Sequence, residues 1–587
     1  MKTIFILILL TISGILLAAD KIEVTVEGVE GEILDNVKAY LSIEEQKEHS
    51  RLSARRIKRL HKQANEEIEQ ALQPFGYYRA KVTTAELTES VQKDHTLWQA
   101  RYVIELGEPL KIKTIDINVN GDAKKDKLLP KLLANLPIKT GDALNHPNYK
   151  KTKQLLHSFA EERGYFDTGI TKHNIYVDKD TYTAKIELDV DTKQRYRFGE
   201  ITFEQKLFDE AFLQRFLNFQ SGDYYVGSKA IALKNNLVGS DYFATADVNI
   251  DRTTIDKDLQ MPVNVVLTPR KPNKYTAGIG YGTDTGVRGS LGWERRYFNR
   301  YGHRFSSKLE LSEIRQSMTN RYTIPLDRLD SFLDITAGYR NETTDTSESE
   351  VLLLGISKHH SRNIFGTQLS EVIGLEYRDE RFAVGSDTGH AKLLMPNVNW
   401  TYIKADNRIY TLKGYRIGLN VRGAMDGLGS NTSVLQTRLD GKFIHKLFKN
   451  SRIILRGEMG NSFVSILDGD FRELPPSVRF FTGGDRSVRG YDYQALGPKN
   501  VEGQVVGGKN LLVGSAEYEH TIVKDWSLAV FYDVGNAYND VTETMKHGAG
   551  IGVRWQSPVG LIRVDVAAAL SETSTPVRLH ITIGPDL

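Results

Sequence analysis

Two short stretches near the carboxyl end of the sequence contain the residue types best suited to a specific polar interaction. They are Val488-Arg489-Gly490-Tyr491 and Phe531-Tyr532-Asp533-Val534-Gly535. A guanidinium group presents a planar fork of donors that fits a carboxylate better than the ammonium group of Lys does. Each stretch alone is also typical of a solvated turn or a strand end. Whether Arg489 and Asp533 meet depends on the elements that carry them.

No motif for covalent or metal-assisted catalysis accompanies these residues. The sequence has no Cys, and its 14 His residues form no His-Glu-x-x-His motif. Gly-x-Ser-x-Gly and the phosphate-binding loop pattern are absent as well. The glycines of 548–552 superficially match a dinucleotide fingerprint, but they alternate with Ala549 and Ile551 as in a strand, and no βαβ pattern surrounds them. We therefore expect neither an enzyme nor a cofactor.

Composition and the first residues narrow the class of protein further. A net charge of +3 from 77 basic and 74 acidic residues, without a long Lys/Arg run, argues against nucleic acid as a partner. Residues 1–19 combine a positive start, an apolar run and small final residues, which predicts a signal peptide cleaved after Ala19 rather than a retained helical anchor. No later apolar run is long enough for a membrane helix. A secreted soluble protein and a transmembrane β-barrel both fit this pattern.

The first half of the sequence contains a weak repeat. Each copy has a helical pattern that ends in a short aromatic motif and is followed by strands, and the three motifs are Gly76-Tyr77-Tyr78, Gly164-Tyr165-Phe166 and Asp241-Tyr242-Phe243. The pattern predicts three α+β modules, at residues 21–108, 109–193 and 194–272. We expect the aromatic residues to pack helix against sheet.

From residue 274 the sequence pattern changes to strands alone. Apolar residues alternate with small or polar ones from Tyr275 to Gly282, and similar segments recur to residue 587. The length of this region fits about sixteen membrane strands of about 10 residues with their connections. Residues 274–587 are therefore predicted to form a closed antiparallel β-barrel.

These features resemble the POTRA-barrel family, whose members insert or export proteins at the outer membranes of Gram-negative bacteria. The Val-Arg-Gly-Tyr loop and the Phe-x-Asp-x-Gly strand are typical of its barrels, and the three modules resemble periplasmic POTRA domains. BamA has five such domains, for which residues 20–273 have no room, and two-partner secretion transporters have two with a plug helix. Three modules, the Gly282–Gly286 segment and the ending Gly584-Pro585-Asp586-Leu587 resemble the TamA branch.

The resemblance implies a role for the first two stretches. In the family, the long loop between the eleventh and twelfth strands folds back into the lumen and places its Arg against acidic residues of the inner wall. The alternation of side chains turns Asp533 and Glu517 inward. Arg489 is then expected to pair with both carboxylates, while Gly490 permits close backbone approach and Tyr491 covers the pair.

Closure of the barrel requires the last strand, predicted at 577–584, to pair with the first, predicted at 275–282. The first strand is rich in glycine, and the last contains Gly584 and Pro585, which weaken a strand ladder. We therefore expect a weak seam, which in the family acts as a lateral gate. The predicted seam residues are Tyr275, Gly278, Gly280, Gly282, His580, Thr582, Gly584 and Pro585.

Three functions follow from the resemblance. The first is an outer-membrane insertase for client outer-membrane proteins, including autotransporters, that works with the inner-membrane-anchored protein TamB. The second is a transporter that passes a polypeptide through the barrel lumen. The third is an anchor for TamB in the traffic of lipid to the outer membrane. In each case the modules are expected in the periplasm and the barrel in the outer membrane.

Overall fold

The computed structural model describes residues 20–49, 52–91, 96–464, 470–557 and 560–587. The predicted signal peptide, residues 1–19, lies outside the described residues. Within the part of the chain that is described, no helix is long and apolar enough to cross a membrane.

The chain forms two compact units. The first contains the residues up to Thr202 together with Phe219–Ala232 and Val248–Asn264, and the second contains Phe203–Asn218, Leu233–Asp247 and Val265–Leu587. The third predicted module is thus divided between the two units.

The first module is a three-stranded sheet covered by helices. Its elements are β1 (Lys21–Glu27), α1 (Gly31–Tyr40), α2 (Ser42–Glu45), α3 (Ala54–Leu72), β2 (Lys81–Val91) and β3 (Thr96–Glu105). The central strand β3 pairs in parallel with β1 and antiparallel with β2. The helical spacing predicted for α3 is confirmed, since Ile57, Leu60, Ala64 and Ile68 are buried in one core with residues of the sheet.

The second and third modules repeat this order. The second contains β4 (Lys111–Asn120), α4 (Leu129–Ala134), α5 (His146–Arg163), β5 (Gly169–Asp178) and β6 (Thr183–Asp191). The third contains β7 (Arg197–Glu204), α6 (Glu210–Gln214), α7 (Gly227–Gly239), β8 (Phe243–Ile250) and β9 (Gln260–Pro269). In both, the last strand lies in the middle of the sheet.

The aromatic motif of the repeat has the same local conformation in every module. Gly76, Gly164 and Asp241 all have positive φ, at 90°, 80° and 64°. This left-handed residue ends the preceding helical segment and turns the chain towards the sheet. Tyr165 and Tyr242, which follow it, are buried.

The remaining chain forms a sixteen-stranded sheet, which confirms the predicted strand number. Its strands are β10 (Asn273–Gly282), β11 (Gly286–Arg295), β12 (Arg304–Ser312), β13 (Arg315–Pro325), β14 (Phe332–Thr343), β15 (Ser347–Ile364), β16 (Thr367–Val384), β17 (Asp387–Ala405), β18 (Lys413–Ala424), β19 (Val434–Phe448), β20 (Ser451–Phe463), β21 (Asn510–Val523), β22 (Trp526–Tyr538), β23 (Lys546–Ser557), β24 (Gly560–Ala569) and β25 (Val577–Ile583).

The sheet is a nearly closed barrel. Consecutive strands pair antiparallel from β10 through β25. The first and last strands lie near each other, but no ladder pairs join them among the described residues. Outward-facing side chains such as Trp526, Leu528 and Val530 are exposed, whereas Asp533 on the same strand is fully buried. The period of two therefore separates a lipid-compatible outer face from a polar interior.

Candidate functional site

The described part of the connection between β20 and β21, residue 464 and residues 470–509, crosses the barrel interior and is called the lumen loop below. On one side, Ser477 donates a hydrogen bond to Glu380 of β16, and the Gln436 amide of β19 donates to the Val478 carbonyl at 2.7 Å. On the other side, Arg489 contacts the wall formed by β21–β24. The loop is thus held between two separate parts of the wall.

The structure brings Arg489 together with both carboxylates predicted to pair with it. Its Nε lies 2.7 Å and its Nη2 3.0 Å from the two oxygens of Asp533, which is a bidentate contact. Its backbone N–H also donates to Asp533, at 3.1 Å, and its Nη1 lies 2.8 Å from Glu517. All three residues are buried.

Two further contacts of Arg489 were not predicted from the sequence. Asp565 of β24 accepts from its Nη1 at 3.1 Å, and the Phe531 ring lies 3.3 Å from the guanidinium carbon. A guanidinium over an aromatic face gains a favourable electrostatic interaction, especially where water is excluded. Arg489 is therefore enclosed by three carboxylates and a ring.

The Arg489 cluster continues down the inner wall as a chain of alternating charges. Arg554 of β23 lies 2.7 Å from Glu517 and 3.3 Å from Glu519, and Glu519 lies 2.6 Å from Arg452 of β20. These four residues are buried. Removing one member would leave an uncompensated charge in a desolvated place, so each member helps to hold the others.

Two glycines allow the loop to approach the wall. Gly490 has φ of +97°, and a Cβ there would lie 2.8 Å from the backbone between Ala568 and Ala569. A Cβ on Gly548 of β23 would lie only 2.0 Å from the Arg489 carbonyl oxygen. Gly548 therefore provides the space in which the loop backbone lies. Val488 and Tyr491 lie in an apolar cluster beside them. Tyr491 was predicted to cover the ion pair, but the ring that lies over the Arg489 guanidinium is that of Phe531.

A second polar contact links the lumen loop to the barrel seam. His580 of β25 accepts a hydrogen bond from the Gly490 N–H at Nε2, 2.9 Å away, and its Nδ1 lies 2.7 Å from Asp485. Thr283, in the turn after β10, donates to the same Asp485 carboxylate at 2.8 Å. The first hairpin, the lumen loop and the last strand thus meet at Asp485.

The carboxylates of Asp284 and Asp485 and the ring of His580 have ligand atoms within 4.8 Å of one another, close enough to hold a metal ion. The hydrogen bonds of His580 favour another interpretation. Because Nε2 accepts from a backbone N–H, the proton of the neutral ring is on Nδ1, where it points at Asp485. A metal at Nδ1 would displace that proton, so the group is better described as a hydrogen-bonded latch.

The predicted seam residues lie on both sides of the gap between β10 and β25. Tyr275 is exposed on the outer face. Gly278 and Gly280 line a cavity that is also lined by Ile583. Gly282 and Thr582 line a second cavity on the lumen side. His580 is buried and faces the lumen loop.

The end of the predicted seam, Gly584 and Pro585, lies beyond the ladder of β25, although the Gly584 N–H donates to the Leu561 carbonyl at 3.1 Å. Across the gap, the Ile581 N–H donates to the hydroxyl of Thr283, 3.2 Å away, instead of to a carbonyl of β10. A side chain therefore satisfies a backbone donor at the edge of the last strand.

Comparisons with protein families agree with the architecture. A model described as the Omp85 superfamily domain matches residues 270–586, one described as POTRA domain TamA domain 1 matches residues 23–106, and a POTRA model described as surface antigen variable number repeat matches residues 112–193.

Curated relatives are similar at low identity. Outer membrane protein assembly factor BamA of Neorickettsia risticii (strain Illinois) is 24% identical over 474 residues, which cover 74% of this chain and 60% of the relative. BamA of Nitratidesulfovibrio vulgaris is 24% identical over 393 residues, which cover 63% of this chain and 48% of the relative. The chain therefore matches about half the length of these relatives.

A solved structure supports the fold. The crystal structure of BamA from Haemophilus ducreyi lacking POTRA domains 1–3 aligns with a TM-score of 0.67 at 17% identity, covering 81% of this chain and 99% of that one.

Proposed function

Because the chain belongs to the Omp85 superfamily, we propose that it is an outer-membrane β-barrel that assembles other outer-membrane proteins through the gap between β10 and β25. Its POTRA domains would then lie in the periplasm. The proposed work requires neither covalent chemistry nor a cofactor, since it consists of strand pairing and transfer into lipid.

The observation that carries this proposal is that no ladder joins β10 and β25 in the described part of the barrel. Every other neighbouring pair from β10 to β25 is hydrogen-bonded along its strands, and β25 has only seven residues. Unpaired backbone groups are costly in lipid, so an open edge at this position favours a strand partner. Tyr275 and Ile279 on β10 are exposed on the outer side, 74% and 90% respectively. An incoming strand could pair with this edge by β-augmentation.

We further propose that the chain is of the TamA type, with TamB as its partner and autotransporters among its clients. The match of residues 23–106 to the first POTRA domain of TamA supports this assignment. Edge strands β2 and β5 are exposed along much of their length, so each offers a place where a partner could add a strand.

The lumen loop argues against a polypeptide path through the barrel. Passage would require the buried contacts of Arg489 with the wall to break, together with the contact between Arg479 of the loop and Asp387 of β17 at 3.4 Å. Breaking a buried ion pair by removal of one partner costs about 3–5 kcal/mol. A protein that only anchors TamB in lipid traffic would not need to open the gap between β10 and β25, whereas an assembly factor would. Opening of this gap therefore distinguishes the two roles.

Reconstitution into lipid vesicles tests the proposal. The purified chain should accelerate the insertion of an unfolded β-barrel client, measured as the protease-protected fraction over time, relative to protein-free vesicles. Vesicles with an unrelated barrel of similar size serve as the control. Equal rates with the chain and with the unrelated barrel would contradict assembly activity, and transfer of labelled lipid in the same vesicles would then favour the anchoring role.

A further inference from the structure

The barrel lumen contains a cavity with more positive than negative side chains. It encloses about 530 Å³ between the lumen loop and the inner wall, near the turns that follow β10 and β14. Among the described residues, seven Arg and four Asp or Glu side chains line it. A volume of this size is typical of a ligand site, and an anionic ligand would balance the excess of positive charge.

Two of these Arg residues are already neutralised within the protein. Arg315 of β13 donates from Nε and Nη2 to the two carboxylate oxygens of Glu342, at 3.0 and 2.8 Å. Arg438 of β19 lies 2.8 Å from Glu458. Arg315 and Arg438 are therefore engaged in ion pairs, and the capacity to bind an anion lies with other residues.

Arg378 of β16 is buried, but only one of its three nitrogens is hydrogen-bonded. The side chain lines the cavity, the residue is only 9% exposed, and its Nε donates to Glu376 at 2.5 Å. Its Nη1 and Nη2 have no hydrogen-bond partner in the described part of the chain. Because buried donors are normally paired, these two nitrogens indicate a place for an acceptor.

Arg340 of β14 lines the same cavity and also has an unused donor. Its Nε is buried and has no hydrogen-bond partner among the residues that the structure describes. The carboxylate within ion-pair distance of Arg340 is that of Glu342, at 3.8 Å. Both oxygens of Glu342 already accept hydrogen bonds from Arg315. Arg340 therefore shares a carboxylate that is bound more closely by another residue.

The strand register places Arg340 and Arg378 on one part of the inner wall, with a single strand between them. Arg340 is opposite Val351 of β15, which is opposite Glu380 of β16. Arg378 precedes Glu380 by two residues and so lies on the same face. Glu380 does not neutralise the two Arg residues, because its oxygens accept from the hydroxyl groups of two Ser residues. The guanidinium groups of Arg340 and Arg378 are close enough to repel each other, and an anion between them would relieve that repulsion.

We propose that Arg340 and Arg378 form a binding site for a phosphate group in the barrel lumen. A phosphate group presents several acceptor oxygens, and the planar fork of a guanidinium binds two of them at once. The free Nη1 and Nη2 of Arg378 and the free Nε of Arg340 supply the donors. This site is separate from the proposed assembly activity, since neither residue belongs to β10, to β25 or to the Arg489 cluster.

The surroundings of the site favour the phosphate of a lipid over a free phosphate ion. Ile581 and Ile583 of β25 line the same cavity as the two Arg residues. Ile583 also lines a smaller cavity together with Ile279 and Leu311, whose side chains are exposed on the outer face. Polar and apolar linings are thus continuous from the lumen to the outer face. An amphiphile fits this arrangement with its phosphate at the Arg residues and its acyl chains against the apolar side chains.

Titration calorimetry on the purified full chain, in a neutral detergent and a phosphate-free buffer, tests the site. The probes are inorganic phosphate, dihexanoylphosphatidic acid and dihexanoylglycerol, which has the same acyl chains without the phosphate. Arg378→Gln is compared with Arg381→Gln, because Arg381 lies on the same strand with its side chain exposed on the opposite face. Each substitution removes one positive charge, and heat-modifiable migration on gels shows that each barrel is folded.

The proposal predicts that the natural chain and Arg381→Gln bind the phosphatidic acid equally well and that Arg378→Gln binds it about tenfold more weakly. Dihexanoylglycerol should not compete. Arg340→Gln should show a similar loss, and it provides the test if Arg378→Gln does not give a folded barrel. Tighter binding of the phosphatidic acid than of inorganic phosphate would support a lipid as the source of the phosphate. Equal binding of the two probes, with the same loss in Arg378→Gln, would support the site but overturn its assignment to lipid.

Two results would overturn the site itself. One is the absence of binding of either phosphate probe by the natural chain, and the other is equal binding by Arg378→Gln, Arg340→Gln and Arg381→Gln. Because no client is present, either result would leave the proposed assembly function standing, and a failed assembly assay would leave the phosphate site standing.

Discussion

Replacement of Arg489 by Ala should release the lumen loop without unfolding the barrel. Arg489 belongs to a loop and contributes nothing to the strand ladders, but it is the closest cation to Asp533. Without it, Asp533 retains the Ser515 hydroxyl at 2.6 Å and Arg456 at 3.9 Å. Glu517 and Asp565 still contact Arg554. Asp533 is therefore the carboxylate that loses its main cationic partner.

The contacts that remain set the expected free-energy cost of the Arg489→Ala substitution. Removing one partner of a buried ion pair costs about 3–5 kcal/mol, and we expect the lower end because two of the three carboxylates stay paired. About 3 kcal/mol corresponds to a roughly hundredfold rise in the population of the released loop. Arg489→Lys keeps the charge but loses the bidentate contact, so it should fall between Ala and the natural residue.

Limited proteolysis of the folded barrel measures this population, since cleavage tracks the open fraction when opening is fast relative to cleavage. Heat-modifiable migration on gels reports whether the barrel remains folded. Arg486→Ala provides a matched control, because Arg486 is an exposed Arg on the same loop. Equal protection of the loop in Arg489→Ala and Arg486→Ala, with full assembly activity in both, would refute the role assigned to the ion pair.

Three further predictions follow from other parts of the structure. Gly548→Ala should expose the loop to protease much as Arg489→Ala does, because its Cβ would meet the Arg489 carbonyl oxygen, whereas Gly514→Ala on the neighbouring wall, with 3.5 Å to its nearest atom, should have little effect; equal protection in the two variants would contradict this. Burial and the neighbouring carboxylate of Asp485 raise the pKa of Asp284, in the turn between β10 and β11, to about 6. Because a raised carboxyl pKa stabilises the folded form only at lower pH, the contact between this turn and the lumen loop should protect the loop from protease better at pH 5 than at pH 7.5. Asp284→Asn should abolish this difference in protection. Residues 21–108 expressed alone should unfold in one cooperative thermal transition, because the first module has its own core, and a broad, uncooperative transition would contradict that independence.

The sequence predicted which face of each strand the charged residues occupy and three of the residues that meet there, but not the others. The period of two turned Asp533 and Glu517 inward, and the Val-Arg-Gly-Tyr motif supplied Arg489 as their partner. Asp565 and Arg554 were missed because alternation gives the face of a strand and not its height relative to its neighbours. That height depends on register, which places Asp565 opposite His580 and Gly552.

The contacts of Asp586, in the tail after β25, could not be predicted at all. Its buried carboxylate accepts from the Thr411 N–H at 2.9 Å and pairs with Arg452 at 2.6 Å. Its partner Thr411 is 175 positions away in the chain, and no local pattern in the Gly-Pro-Asp-Leu ending indicates a buried carboxylate. Asp485 lay within the recognised loop motif, but its role depends on the approach of Thr283 and His580 from the two ends of the barrel sheet. Such contacts appear only once the barrel brings its first and last strands together.

The most direct test of the account is a locked seam. Gly282→Cys with Thr582→Cys places one Cys on each side of the gap between β10 and β25, at positions that line one cavity, and oxidation should fix β10 to β25 while leaving the barrel folded. Assembly through the seam predicts that the oxidised protein does not insert a client barrel into vesicles and that reduction restores insertion. Full insertion by the oxidised protein, with no gain on reduction, would contradict the central claim.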